Sequence, residues 1–194
     1  TAFFNIDSPG TEGATAYREI PMGELQELVA ESIASVAGVK VEGSHWPSRA
    51  GDYSFWGTGL PHASTISARP KDLYDPFVNY SGGGWWWHTP YETIERGDID
   101  ILSTDVKVDL NFIFKMTNCP VLPMNFVPYA DAMLKILEDL QAKAGKISFY
   151  FNINSVIVRA REFRELAEKL EGTVRKAVDG GATDEMLEEL NRCI

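Results

Sequence analysis

Ala2-Phe3-Phe4-Asn5-Ile6-Asp7-Ser8-Pro9-Gly10 sets the architecture that we expect for this chain. Residues 2 to 6 form an apolar run typical of a buried strand, and the four residues that follow are turn formers. An open α/β sheet binds its ligands at the carboxyl ends of its strands, so Asp7 stands in a position suited to a functional site. A simple Asx-type turn would have the same sequence, and that interpretation of Asp7 stays open.

Composition limits the classes of protein to consider. The chain has 194 residues, 44% of them hydrophobic and 24% charged, which is typical of a globular protein of one domain or one domain with an appendage. The net charge of −10 argues against a nucleic-acid partner and mildly against an acidic substrate. No apolar run reaches membrane-spanning length. Cys119 and Cys193 fit no metal-binding spacing and define no disulfide framework.

A second motif surrounds one histidine, in Ser81-Gly82-Gly83-Gly84-Trp85-Trp86-Trp87-His88-Thr89-Pro90-Tyr91-Glu92-Thr93. Thr89, Pro90 and Glu92 match the cap, first and third positions of a helix with a capping box. This pattern predicts a helix that starts at Thr89 and holds His88 just outside it, next to a flexible glycine loop. Such a histidine suits a metal site, although a histidine beside tryptophans is often an ordinary packed or half-exposed residue.

Periodicity predicts the elements between and around these motifs. Asp52 is a plausible helix cap, and the long loop Arg69–Gly84 is of a kind that is usually either functional or disordered. The predicted strands are Thr15–Ile20, Val39–Glu42 and Ala63–Ala68, and the predicted helices are Met22–Ala37, ended by Gly38, and Asp100–Thr117. We assign the charged residues Asp105, Lys107 and Asp109 of the second helix to its solvated face.

Three motifs follow one another within roughly the first 100 residues. They are Phe4-Asn5-Ile6-Asp7-Ser8, then Gly51-Asp52-Tyr53-Ser54-Phe55 with Gly59-Leu60-Pro61, then Trp87-His88-Thr89-Pro90-Tyr91-Glu92-Thr93. Together they resemble the two-zinc aminopeptidase superfamily, and more narrowly its branch that contains glutamate carboxypeptidase II and the transferrin receptors. The resemblance implies an α/β fold over residues 1–120, with a partial open mixed sheet and flanking helices of the zinc exopeptidase type.

The same resemblance implies a dinuclear zinc site. Asp7 and His88 match two of the family's zinc ligands, one on each metal. Two zinc ions roughly 3.5–4 Å apart can share a hydroxide and polarise a peptide carbonyl. Glu92 would orient the site from outside the ligand shell, although capping explains that residue equally well. The candidates for the substrate pocket are Ser8, Asp52, Trp86 and Trp87. For the tryptophans, packing of the loop onto the core is an equal alternative.

Several family residues have no counterpart in this sequence. The family's other histidine, its bridging aspartate and its Glu-Glu pair precede the motif that contains Asp7. We therefore expect a C-terminal fragment of a longer metallopeptidase, with its general-base glutamate and three further ligands in a missing N-terminal part. Such a fragment contains no catalytic residue and should be inactive alone, even if the full protein binds two zinc ions. Glutamate-selective members carry arginines where this chain has Ser64, Thr65 and Ile66, so we do not expect acidic substrates.

The last third of the chain has a helical pattern. Pro120-Val121-Leu122-Pro123 marks a domain boundary, and residues 121–194 form the second predicted domain. We predict helices over Tyr129–Ala144, from Asn154 or Ser155 through Val178, and after Thr183, with a strand over Lys146–Ile153. This region resembles the helical domain that mediates dimers in the carboxypeptidase II and transferrin receptor branch, which implies a homodimer.

Three hypotheses follow for function. The first is a fragment of a zinc exopeptidase, either aminopeptidase or carboxypeptidase, acting on peptides. The second is a receptor-like relative that keeps the fold but acts as a binding or interaction protein without catalysis. The third is an unrelated carbohydrate- or peptide-binding domain that uses the tryptophan loop.

Overall fold

The computed structural model describes residues 2–17, 19–41, 43–46, 54–55, 57–73, 83–147, 150 and 152–194. The chain divides into two compact units, Thr1–Asn118 and Cys119–Ile194. The first unit is mixed α/β and the second is all-helical, as the sequence predicts for the class of fold. In the described part of the chain, no helix has both the length and the apolar character that crossing a membrane requires.

The strands of the first unit form two parallel pairs. They are β1 (Phe3–Ile6), β2 (Glu19–Pro21), β3 (Gly43–His45) and β4 (His62–Thr65). Strand β1 pairs with β4, strand β2 pairs with β3, and β2 also lies beside β4. A parallel pair needs a crossover connection, and helix α1 (Gln26–Ala37) supplies it between β2 and β3.

Two strand predictions are confirmed and two are displaced along the chain. Strand β1 falls within the predicted Ala2–Ile6, and β4 covers the start of the predicted Ala63–Ala68. Ala68 itself only forms an isolated antiparallel bridge with Ala16. The predicted strand Thr15–Ile20 overlaps β2 only at Glu19 and Ile20. Residues 39–41 of the predicted Val39–Glu42 form no strand, because the strand begins at Gly43, where it pairs with β2, and Glu42 lies outside the described residues.

Helix α1 ends where its sequence predicts. Gly38 adopts the left-handed conformation with φ 69°, and its N–H donates to the Ala34 carbonyl. This is the usual geometry of a glycine that terminates a helix. The buried face of α1 packs against β4 and against helix α2 (Ile99–Asn118), and it consists of Leu28, Val29, Ser32 and Ile33.

Helix α2 has the predicted extent, but its orientation corrects the sequence interpretation. Its buried residues are Asp105, Val108, Asp109 and Phe112, and Phe112 stacks on Phe4 of β1 with ring centroids 4.5 Å apart. The assignment of Asp105 and Asp109 to a solvated face is therefore wrong. The apolar residues whose spacing predicts the helix include four exposed ones: Ile99, Val106, Leu110 and Ile113.

The second unit consists of α3 (Val127–Lys146), α4 (Asn154–Gly180) and α5 (Asp184–Cys193). Helices α3 and α4 pack together and are joined by the ion pairs Arg164–Asp131 and Arg161–Glu138. The predicted strand Lys146–Ile153 is wrong for the residues that are described there, since α3 continues to Lys146 and residues 147, 150, 152 and 153 form no strand. Residues 148, 149 and 151 lie outside the described residues.

Candidate functional site

Asp7 begins the turn that follows β1. Its side chain is half-buried, and its Oδ1 accepts a hydrogen bond of 2.9 Å from the Ser8 hydroxyl. Ser8 has a left-handed backbone, with φ 52°, and its carbonyl accepts a 3.0 Å bond from the Thr11 hydroxyl. A serine rarely adopts this conformation unless its surroundings impose it. The turn therefore holds the Asp7 carboxylate in a defined position.

Gly10 joins this turn to α2. Its N–H donates to Asp105 Oδ2 at 2.8 Å, and its carbonyl accepts from the Asp98 N–H, also at 2.8 Å. Gly10 has φ 74°, and a Cβ atom at this position would lie 2.7 Å from the Cβ of Leu102. Glycine is required here for both reasons, because another side chain would be strained in its backbone and would overlap α2.

Asp105 is the centre of a buried polar cluster. Besides Gly10, it accepts a 2.6 Å bond from the Tyr17 hydroxyl and a 2.9 Å bond from the Ser67 hydroxyl. Burial, together with the hydrogen bond to Asp105, raises the pKa of Tyr17. The cluster connects the turn after β1 and the segment after β4 to one carboxylate of α2.

Asp109 lies one turn further along α2. Its carboxylate accepts a hydrogen bond from the Thr65 hydroxyl at the carboxyl end of β4. Burial raises the pKa of Asp109, and the nearby charge of Asp105 acts in the same direction, while the bond from Thr65 opposes both. The turn after β1 and the carboxyl end of β4 are thus tied to acidic residues of α2.

Sequence reasoning missed Asp105 and Asp109 as residues of the site region. Their spacing of four places them on the same helix face as Val108 and Phe112. Their spacing with Val108 and Phe112 was the available signal, but by itself it does not show that this side of α2, and not the side with Leu110, is the buried one.

The histidine motif forms a series of turns, and the predicted helix at Thr89 is wrong. After the turns comes a short 3₁₀ helix, Ile94–Arg96, and the next α-helix starts at Ile99. Glu92 accepts a 2.9 Å bond from the His88 backbone N–H, and the Thr89 hydroxyl accepts a 3.2 Å bond from the Tyr91 N–H. The polar groups of the expected capping box are therefore used locally to close a turn.

His88 is exposed on this turn. Its φ is 58°, in the left-handed region, and its ring stacks on Trp87 with centroids 3.6 Å apart. The bond from Glu92 holds the backbone of His88, and the stack with Trp87 orients the imidazole. The Glu92 carboxylate therefore contacts this loop at the backbone of His88, and its orienting role at a metal site stays a prediction.

Trp86 anchors the loop from inside. It is 5% exposed, the guanidinium groups of Arg96 and Arg69 lie 4.9 and 5.7 Å from its ring, and a Cβ at Gly84 would overlap the ring. This burial favours the packing role that the sequence left open for Trp86. Trp85 and Tyr91 are exposed and contact each other, with centroids 5.4 Å apart. They form an exposed aromatic surface. The sequence offers Trp85, with Trp86 and Trp87, as lining of a pocket for apolar or aromatic side chains, and it gives no reason to select Tyr91.

Backbone bonds attach the base of the histidine loop to the turn after β1. The Glu12 N–H donates to the Arg96 carbonyl at 2.9 Å, and the side chains of these two residues form an ion pair of 3.4 Å. Thr11 and Gly97 form an antiparallel bridge next to it. The two motifs that carry Asp7 and His88 therefore belong to one connected region of the first unit.

The described contacts form two separate groups among the predicted site residues. Asp7 bonds with Ser8, and His88 bonds with Glu92, while no hydrogen bond or ion pair between described residues joins the two groups. Asp52, another pocket candidate, lies outside the described residues. Carboxylate oxygens and imidazole nitrogens are both ligands that zinc binds in proteins. In the described part of the chain, no group of three or more His, Cys, Asp or Glu side chains could hold a metal ion. Asp7 and His88 thus have side chains of the kind that zinc binds, but two ligands are too few for a zinc site, which needs further ones.

Comparisons with protein-family models, with curated proteins and with solved structures return no match to this chain.

Proposed function

We propose that this chain belongs to a zinc-dependent exopeptidase and supplies Asp7 and His88 as two ligands of a dinuclear zinc site. The other ligands and the general-base glutamate would come from a longer polypeptide, and the fold would be of the zinc exopeptidase type. The observation that carries the proposal is the position of Asp7 directly after β1, at the carboxyl end of a parallel strand pair. Ligand sites of open α/β sheets occur at such ends.

The connection between the two motifs supports the proposal further. Bonds from Asp98 to Gly10 and from Glu12 to Arg96 fix the histidine loop and the Asp7 turn to each other. In addition, Ser8 and His88 are the non-glycine residues with positive φ in the described part of the chain. Strained backbone of this kind is concentrated at functional sites, where the surrounding structure imposes it.

Each residue would have a distinct task in this arrangement. Zinc would supply a Lewis acid that polarises the peptide carbonyl and activates water. Ser8 orients the Asp7 carboxylate through its hydroxyl, and Trp87 orients the His88 imidazole by stacking. The exposed rings of Trp85 and Tyr91 offer a surface for apolar or aromatic substrate side chains, which agrees with a net charge of −10 that repels acidic ones.

The second candidate is a receptor-like relative without catalysis, acting as a binding protein. The exposed apolar residues of α2, which include Ile99, Leu110 and Phe114, favour this candidate because such surface is typical of protein interfaces. The two candidates differ in metal affinity. Only the exopeptidase requires Asp7 and His88 to bind zinc.

Zinc titration followed by NMR of the imidazole signals tests the proposal on this chain. His88 is exposed, whereas His62 is buried and provides an internal reference. We expect zinc to shift the His88 signals selectively, and Asp7→Asn to lower the zinc affinity by about tenfold or more. Asp72→Asn is the matched control, since Asp72 is an exposed aspartate of the 3₁₀ helix Lys71–Leu73.

Equal zinc affinity in Asp7→Asn and Asp72→Asn would contradict the ligand assignment. For the longer polypeptide, elemental analysis and assays for release of terminal amino acids from peptides provide the corresponding test. Absence of both bound zinc and exopeptidase activity there would support the receptor-like candidate.

A further inference from the structure

Gly10 is held by Asp98, the residue just before α2, and by Leu102 and Asp105 on one face of α2. The Asp98 N–H donates to the Gly10 carbonyl, the Leu102 side chain packs against the glycine where a Cβ would be, and Asp105 accepts from the Gly10 N–H. The spacings of four and three place these residues along a single stripe of the helix. The amino-terminal half of α2 therefore clamps the turn after β1 at one residue.

Asp105 supplies the strongest contact of this clamp. Asp105 is 6% exposed, and its carboxylate accepts bonds from Gly10, Tyr17 and Ser67, at 2.8, 2.6 and 2.9 Å. Hydrogen bonds to a carboxylate are about twice as strong as those between neutral groups. Loss of this acceptor would leave the buried Gly10 N–H without a partner, which costs about 1–3 kcal/mol.

The clamp acts on Asp7 over a short and stiff length of chain. Only Ser8 and Pro9 separate Asp7 from Gly10; the proline ring fixes its own φ, and the left-handed Ser8 is held by the Thr11 hydroxyl. A displacement of Gly10 is therefore transmitted to Asp7, because the turn has few torsions left to absorb it.

We propose that Asp105 is a positioning residue that fixes the Asp7 carboxylate through Gly10, with Tyr17 and Ser67 holding Asp105 itself in place. The link to zinc rests on the proposed function, whereas the position of Asp7 can be measured without metal. Asp105 does not bind the metal in this proposal, since its oxygens are occupied by three donors.

Asp109 offers a matched control. It lies one turn away on the same helix face and is also 6% exposed, but it accepts from Thr65 and makes no bond to the turn after β1. Asp105→Asn and Asp109→Asn therefore remove the same charge at the same depth. Only the first variant disturbs the contact with Gly10. Asparagine replaces one of the two carboxylate oxygens that accept from Gly10, Tyr17 and Ser67 with an NH2 group, and its remaining oxygen is neutral and accepts more weakly.

The experiment compares wild type and both variants by NMR without metal. In Asp105→Asn we expect hydrogen exchange of the Gly10 amide to be about tenfold faster or more. The Ser8 backbone shifts and the Asp7 carboxyl ¹³C shift should also change. In Asp109→Asn all three should remain as in wild type. Zinc titration then follows, in which Asp105→Asn should bind about tenfold more weakly than Asp109→Asn.

The outcomes separate this inference from the proposed function. Equal Gly10 exchange and equal Asp7 shifts in the two variants would overturn the positioning role. The expected NMR changes without zinc binding by any variant or by wild type would support the positioning role and overturn the zinc assignment.

A further variant covers the case in which Asp105→Asn does not fold. Tyr17→Phe removes one hydroxyl donor to Asp105 and keeps the ring. It should accelerate Gly10 exchange by about fivefold, as expected for the loss of one hydrogen bond, and no acceleration would count against the positioning role.

Discussion

Asp105 and Asp109 show how partners decide the behaviour of a buried charge. Both carboxylates are equally buried on one face of α2, but Asp105 has three donors and Asp109 has the Thr65 hydroxyl. Donors stabilise the ionised form, and burial without enough donors destabilises it. Burial accordingly raises the pKa of Asp109. At neutral pH this residue is expected to reduce the stability of the folded chain.

The sign of this effect predicts a pH-dependent gain from Asp109→Asn. A carboxyl whose pKa is raised on folding stabilises the protein below its ordinary pKa of 3.8, and that stability is lost as the pH rises through the folded value. Asparagine stays neutral and can still accept from Thr65. We expect the variant to have a higher Tm than wild type at about pH 7, and this difference to vanish towards about pH 3.5.

Thermal unfolding at the two pH values measures this difference. Asp72→Asn, at an exposed aspartate, controls for the general loss of one negative charge. A Tm difference between Asp109→Asn and wild type that is the same at both pH values would show that the ionised Asp109 carboxylate does not destabilise the folded chain.

The burial of these aspartates could not be predicted from local sequence. Helix α2 carries apolar residues on two sides, and the sequence alone gives no reason to choose the side with Val108 and Phe112 over the side with Leu110. The donors that make burial of the carboxylates tolerable come from β1, β4 and the segments after them. Such distant partners are not visible in a window of one helix.

At the scale of elements, the side chain of Asp98 caps the amino-terminal end of α2. Asp98 Oδ1 accepts from the backbone N–H groups of Asp100 and Ile101, at 2.9 and 3.0 Å, which satisfies two of the first free donors of the helix. The motif at Thr89 has the composition of a cap but closes an isolated turn. Asp98 is therefore the cap of α2, the helix that the sequence predicts over Asp100–Thr117.

Asp98→Ala should destabilise the first unit by about 1 kcal/mol, within a range of roughly 0.5–2. Alanine removes the capping oxygen and keeps the N–H that binds the Gly10 carbonyl. The measurement is chemical unfolding followed by circular dichroism. Asp100→Ala is the control, since Asp100 lies in the same first turn with an exposed side chain, and it should change stability by less than about 0.5 kcal/mol. Equal losses in both variants would show that Asp98 has no capping role.

Elements with strong local signals could be predicted, and short strands could not. Gly38 and Gly181 terminate α1 and α4 with left-handed backbones, and Thr183 caps α5 by accepting from the Met186 N–H. These signals lie within a few residues of the helix ends. Strand β3 has three residues, and its place at Gly43 depends on its pairing with β2. That pairing partner lies more than 20 residues earlier in the chain.

At the scale of the whole molecule, the charge of the chain bears on metal binding. A net charge of −10 attracts divalent cations over the entire surface. Part of any zinc affinity will therefore be diffuse, and under the proposed function the remainder depends on Asp7. The negative electrostatic field follows from the composition alone. The homodimer through the second unit stays a prediction.

Salt should distinguish diffuse attraction of zinc from direct coordination by Asp7. Raising the ionic strength from about 0.1 M to about 0.5 M shortens the screening length from about 10 Å to about 4 Å, which weakens diffuse attraction but leaves direct coordination in place. We expect the zinc affinity of wild type to fall, and its ratio to the affinity of Asp7→Asn to stay at about tenfold or more. Isothermal titration at low and high salt measures both. A ratio that approaches one at high salt would assign the effect of Asp7 to the general field.

The left-handed backbones of Ser8 and His88 have a consequence for protein engineering. Such a conformation is less favourable than the right-handed one by roughly 1–2 kcal/mol for residues that have a Cβ. Replacement by glycine would relieve this strain, so a search for heat-resistant variants should favour the loss of both side chains. In the proposed zinc site, the same substitutions would remove the ligand His88 and Ser8, the neighbour that orients the ligand Asp7. Resistance to heat and metal affinity would then oppose each other at these two positions.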